Sequence, residues 1–176
     1  MKATKLLVIA LSCMLIIGCK KNNTEDEPAS PTPQYPVITM DSLKSYYPYK
    51  TGDRIIFTNG GLHITYTVNE ATFVSKNDKM NVYITMDGTV STYRTPFYMQ
   101  LTAEVTNQHV LKSTFYVAMP SSDQYIYPKE DTYEYDTAKS GKLPNKFNYS
   151  NGTIVEKEYG LSYYVDGFGD KWHLDR

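Results

Sequence analysis

Four tyrosines, Tyr83, Tyr98, Tyr116 and Tyr164, fall out of phase with the apolar residues of the segments that hold them. Successive side chains of a strand point to opposite faces, so these rings are expected on the face turned away from the core. A row of aromatic rings with hydroxyl tips is a platform for sugars, whose C–H faces stack on the rings while their hydroxyls bond to nearby Asn, Gln, Thr and Asp. The same pattern fits tyrosines that fill a second packing face or coat a sheet for cross-strand stability. If the segment around Tyr98 pairs with that around Tyr116 across the short loop at Thr106 to His109, these two rings become cross-strand neighbours. The four positions are the candidate ligand-binding residues.

Other chemistry is poorly supported. His63, His109 and His173 have no partner at i+4 and no Cys, His or Glu at metal-site spacing, so no metal and no cofactor is expected. Gly160-Leu161-Ser162-Tyr163-Tyr164 begins like a nucleophile elbow, but Tyr164 stands where a second glycine is needed and no strand-turn-helix context surrounds it. Asp166-Gly167-Phe168-Gly169-Asp170 has the oxygens of a calcium loop without the later bidentate glutamate, and its length suits a hairpin turn. Glu130, Asp131, Glu134 and Asp136, and separately Glu156 and Glu158, could set two carboxylates across a glycosidic bond, or be solvated strand faces. The expectation is a non-catalytic protein, with a carboxylate-dependent hydrolase on a β scaffold as the alternative.

The two cysteines point to an address instead. Lys2 and Lys5 precede an apolar run from Leu6 to Ile17, then Gly18 and Cys19. The run is short for a bilayer span and reads as a processed export signal. Ile16-Ile17-Gly18-Cys19 closely resembles the lipobox of bacterial lipoproteins, a resemblance that implies cleavage before Cys19 and acylation of that cysteine, the lipid-bearing first residue of the mature protein. Residues 1–18 would then be the signal peptide, and Cys13 would leave with it, so the domain itself would hold no thiol. Several acyl chains, at about 0.8 kcal/mol per buried methylene, would hold such a protein on a membrane firmly.

Residues 19–36 carry four of the nine prolines and almost nothing apolar, the composition of an extended tether. Its run Glu25-Asp26-Glu27 is similar to the charged signals that send Bacteroidetes lipoproteins to the outside of the outer membrane, so an outer-membrane, surface-exposed location is expected. Asp41-Ser42-Leu43 and Asp136-Thr137-Ala138 are similar to Bacteroidetes O-glycosylation sites.

Residues 37–176 must form the element framework that positions any site. The whole chain has 176 residues and a formal net charge of −1; four basic and three acidic residues fall in 1–36, which leaves 14 basic against 16 acidic. A mildly acidic domain does not suit nucleic acid as a partner. Seventeen tyrosines favour pleated surfaces. Asp41 to Tyr47 suits a short capped helical turn stopped by Pro48. Beyond it, period-two alternation recurs at Leu62-Ile64-Tyr66-Val68, Met80-Val82-Ile84-Met86, Phe97-Met99-Leu101-Ala103-Val105 and Leu111-Phe115-Val117-Met119. Further strands are predicted at Arg54 to Thr58, Gln124 to Tyr127, Thr132 to Tyr135, Thr153 to Tyr159, Leu161 to Val165 and Lys171 to Leu174, with a long loop from Ala138 to Gly152.

The pattern predicts an all-β, antiparallel domain of about 8–10 short strands as a lipocalin-like barrel, with a two-sheet sandwich as the alternative. A last strand containing Trp172 and Leu174 that pairs back near the first would close such a barrel. With Tyr47-Pro48-Tyr49-Lys50-Thr51-Gly52-Asp53 opening the first strand, the chain resembles small all-β outer-membrane lipoproteins of Bacteroidetes. That resemblance implies a binding or accessory module held by N-terminal acyl chains, with a glycan or a protein as partner.

Overall fold

Turn residues cut the chain into hairpins. Gly60 and Gly61, both at positive φ, form a two-residue turn of the kind that matches the twist of the strands it joins. Asn77 with Asp78, and Asn107 with Gln108, occupy the same region of backbone space at the next two tight turns. The computed structural model describes residues 34–90, 97–120 and 125–176. Cys19, the predicted signal peptide and all but the last residues of the predicted tether lie outside them.

Ten strands form one antiparallel sheet: β1 (Arg54–Asn59), β2 (Leu62–Lys76), β3 (Lys79–Val90), β4 (Phe97–Thr106), β5 (Val110–Pro120), β6 (Tyr125–Asp136), β7 (Lys146–Asn148), β8 (Ile154–Glu156), β9 (Gly160–Val165) and β10 (Lys171–Leu174). Their order is β6-β5-β4-β3-β2-β1-β10-β9-β8-β7. The last strand does pair back on the first, Phe57 opposite Leu174 and Thr58 opposite His173. The sheet curls into a nearly closed barrel, and the sandwich alternative falls away because every strand belongs to one continuous ladder.

Side chains span the seam between the two edge strands. Tyr133 of β6 stacks on Phe147 of β7 at 5.0 Å between centroids. The Asp131 carboxylate accepts the Ser150 hydroxyl at 2.8 Å and the Asn151 N–H at 2.6 Å. Those two bonds and the Thr132 N–H outweigh the upward pull of partial burial and hold Asp131 below the usual carboxylate range.

The first six strands are longer than period-two alternation alone suggests; β2 runs for 15 residues and β6 joins the two predicted segments into one. The predicted loop from Ala138 to Gly152 is also corrected. It contains a helical turn, α2 (Thr137–Ser140), capped by Asp136, and the short strand β7. The predicted N-terminal helical turn is α1 (Met40–Lys44), with Thr39 and Ser42 forming a reciprocal capping box.

Both ends of the barrel are plugged. At one end Ile38, Leu43, Tyr46, Tyr47 and Tyr49 enter the core from the segment around α1. At the other, the β9–β10 turn folds over to β6, so closely that a Cβ on Gly167 would lie 2.7 Å from the Tyr127 carbonyl carbon. The interior is filled with side chains, as small barrels require. The sheet, both plugs and the described buried core lie within Tyr35–Arg176, one compact unit with a hydrophobic core of its own, as a domain that folds alone requires. Among the described residues no helix is long and apolar enough to cross a membrane.

Candidate functional site

Among the described residues the interior is filled with side chains, and the concavities found lie on the outside of the barrel and at its ends. Strand register fixes what the outer face presents. Tyr83 on β3 sits between Thr72 of β2 and Thr102 of β4, and the row continues through Thr114 and Thr132 on β5 and β6. The next outward row runs Glu70, Thr85, Gln100, Tyr116, Glu130. Tyr98 lies one row further, opposite Asp87 and Ala118.

Tyr83 is 38% exposed and borders a trough of about 300 Å³ shared with Asn81, Thr102, Glu104, Lys112 and Thr114. These residues offer a carboxylate, an ammonium, an amide and hydroxyls beside one aromatic ring. Lys79 holds Glu104 at 3.5 Å, and the hydroxyls of Thr114 and Thr132 are 3.3 Å apart. Tyr98 and Tyr116 are half-buried, with centroids 6.1 Å apart and planes at 63°, an edge-to-face pair across β4 and β5. Tyr98 also donates its hydroxyl to Gln100 Oε1 at 3.1 Å. The cross-strand meeting of these two rings expected from the sequence is therefore present, diagonally because Tyr116 opposes Gln100. From Tyr83 to Tyr116 the register spans two residues and two strands, about 12 Å, which exceeds one pyranose ring.

Tyr164 does not belong to this face. It is fully buried, and Phe57, Phe115, Tyr66 and Trp172 surround it at 5.1, 5.8, 6.3 and 6.3 Å. Its hydroxyl lies 3.0 Å from that of Tyr66. A register shift between β8 and β9 explains the change: Ile154 opposes Tyr163 but Val155 opposes Leu161, so one extra residue in β9 lets both Leu161 and Tyr164 face inward. The candidate binding set is reduced to Tyr83, Tyr98 and Tyr116.

The remaining sequence candidates serve the scaffold. His109 Nδ1 is 3.1 Å from both the Pro36 carbonyl and Thr137 Oγ1, fastening the N-terminal segment to the barrel end. The rings of His173 and Tyr163 meet edge to face at 4.8 Å, and His63 opposes Thr58 on the outer face. Asp166 is buried, and its carboxylate accepts the N–H groups of Phe168 and Asp170 and the Trp172 indole, each at 2.9 Å. Asp166 to Asp170 is thus a hairpin turn built around that carboxylate. Ser162, of the would-be elbow, lies within β9 and donates to Glu156.

The acidic residues do not gather in one cleft. Glu130 and Glu134 are exposed on β6, Asp131 ties the seam and Asp136 caps α2. Glu156 is engaged by Lys146 and Arg176, each at 3.1 Å, while Glu158 forms a turn at positive φ. Of the two glycosylation-like motifs, Thr137 is buried and donates to the Pro36 carbonyl at 2.6 Å, whereas Ser42 belongs to the α1 capping box.

Sequence reasoning missed a second concavity of about 430 Å³ beside α1, because its walls come from three distant segments, Pro36 to Tyr46, Thr137 to Leu143 and Lys157. Comparison with family models, with curated proteins and with solved structures returned no match.

Proposed function

We propose that this protein is a lipid-anchored outer-membrane module, displayed on the cell surface through acyl chains on Cys19, that binds glycans without catalysis. The observation that carries the binding reading is the trough beside Tyr83 on the outer face, with the Tyr98–Tyr116 pair about 12 Å away on the same face. Rings at that separation suit an oligosaccharide of at least two residues, one stacked on Tyr83 and another near Tyr116. Thr102 and Thr114 supply hydroxyl partners beside Tyr83, and Asn81, Glu104 and Lys112, in the row on its other side, can each bond to sugar hydroxyls. The anchor rests on the resemblance of Ile16 to Cys19 to a lipobox, and the outer-face location on the acidic run that follows.

A glycan array probed with Tyr35–Arg176 tests the binding reading. Binding should fall at least tenfold in Tyr83→Ala and in the Tyr98→Ala/Tyr116→Ala pair, since loss of one stacked ring costs about 1–3 kcal/mol in comparable ring-on-ring recognition. Binding that survives both changes would remove the rings from the site. A blank array would shift the reading to a protein partner on the same face.

A further inference from the structure

The cleft beside α1 has a different chemistry from the tyrosine face. The hydroxyls along it already donate to backbone carbonyls: Tyr46 to Pro144, Thr137 to Pro36, Ser42 to Thr39 and Ser45 to Ser42. With those donors committed, Val37 and Leu143 present an apolar surface to the cleft, backed by the buried Ile38, and Val37 is 51% exposed. The charged residues that line it are Lys142, Lys157 and one carboxylate, Asp41, and both lysines are exposed and take part in none of the ion pairs among the described residues.

An apolar floor with two unpaired ammonium groups against one carboxylate is complementary to a molecule with an apolar body and one negative head. We propose that this cleft binds a small amphipathic carboxylate, its body lying on Val37 and Leu143 and its head held by Lys142 and Lys157. A volume of about 430 Å³ lies within the usual range of small-molecule sites. The site is independent of the tyrosine face, since none of its residues belongs to β3, β4 or β5.

Decanoate, titrated calorimetrically into Tyr35–Arg176, is the probe, with decanol as the uncharged control. One saturable decanoate site is expected. The Lys142→Gln/Lys157→Gln variant should weaken decanoate binding at least tenfold, the scale of a lost charged hydrogen bond, while leaving decanol unchanged. Backbone amide shifts at Val37 and Leu143 should move with decanoate, and Tyr83→Ala should leave its affinity as it was. Absence of a saturable site, equal affinity in the double lysine variant, or shifts centred on Tyr83 would each overturn the proposal. Because Tyr83→Ala addresses the glycan reading and the lysine pair does not, failure of one leaves the other standing.

Discussion

The hydroxyl pair between Tyr66 and Tyr164 gives the sharpest test of why Tyr164 is a core residue. Both side chains are fully buried, and their oxygens lie 3.0 Å apart inside an aromatic cluster. Changing either residue to Phe keeps the ring and its packing but leaves the other hydroxyl buried without its partner, a loss of about 1–3 kcal/mol. Changing both removes the orphan as well, so the double variant should cost no more than the larger single change. The coupling in a double-mutant cycle should therefore be about 1 kcal/mol or more. In a domain of this size each kcal/mol corresponds to roughly 3–5 °C in Tm. Urea unfolding of the wild type, Tyr66→Phe, Tyr164→Phe and the pair, followed by circular dichroism, measures all four corners. Additive effects would refute the hydrogen bond, and a Tyr164→Phe variant of unchanged stability but weakened glycan binding would return Tyr164 to the outer face.

The other predictions concern the address and alkaline pH. Mass spectrometry of the mature protein should find Cys19 as an acylated first residue, and Cys19→Ser should leave the signal attached; an unacylated N-terminus elsewhere would remove the anchor. Burial pushes the Tyr47 hydroxyl up to about 12 and raises Tyr49, Tyr66, Tyr149 and Tyr164 as well. In the unfolded chain these groups release protons from about pH 10 upward while the folded chain keeps them, so the stability they contribute is complete below pH 10 and is lost as pH rises toward 12 and beyond. Denaturant midpoints should fall across that window as tyrosinate absorbance appears with unfolding; a constant midpoint would contradict the burial of these hydroxyls.

Much of the fold was legible because its causes are local. Leu62, Ile64, Tyr66 and Val68 alternate with polar residues, and all but the half-buried Leu62 are fully buried. Gly60, Gly61 and the Asn77-Asp78 pair tolerate positive φ and mark their turns. The Tyr98–Tyr116 meeting follows from a three-residue loop joining two alternating runs. Tyr164 was misread for the opposite reason. A bulge depends on how a strand registers with its neighbour, so the alternation of β9 alone does not reveal that its phase slips between Leu161 and Tyr163. The carboxylates of β6 looked alike in sequence, yet Asp131 ties the seam while Glu130 stays exposed.

The sequence by itself determined the period-two framework, the tight turns and the capped helical turn, since each is encoded by neighbouring residues with fixed backbone preferences, whereas the pairing of the last strand with the first joins residues more than 110 positions apart. The sequence also carries the lipobox-like run on which the proposed address depends. Only the tertiary structure decided that the barrel interior is filled, that Tyr164 belongs to it, and that Lys142 and Lys157 share a cleft with Val37. Those outcomes depend on which distant segments pack together, and packing at close range between residues 100 positions apart leaves no local signature to read.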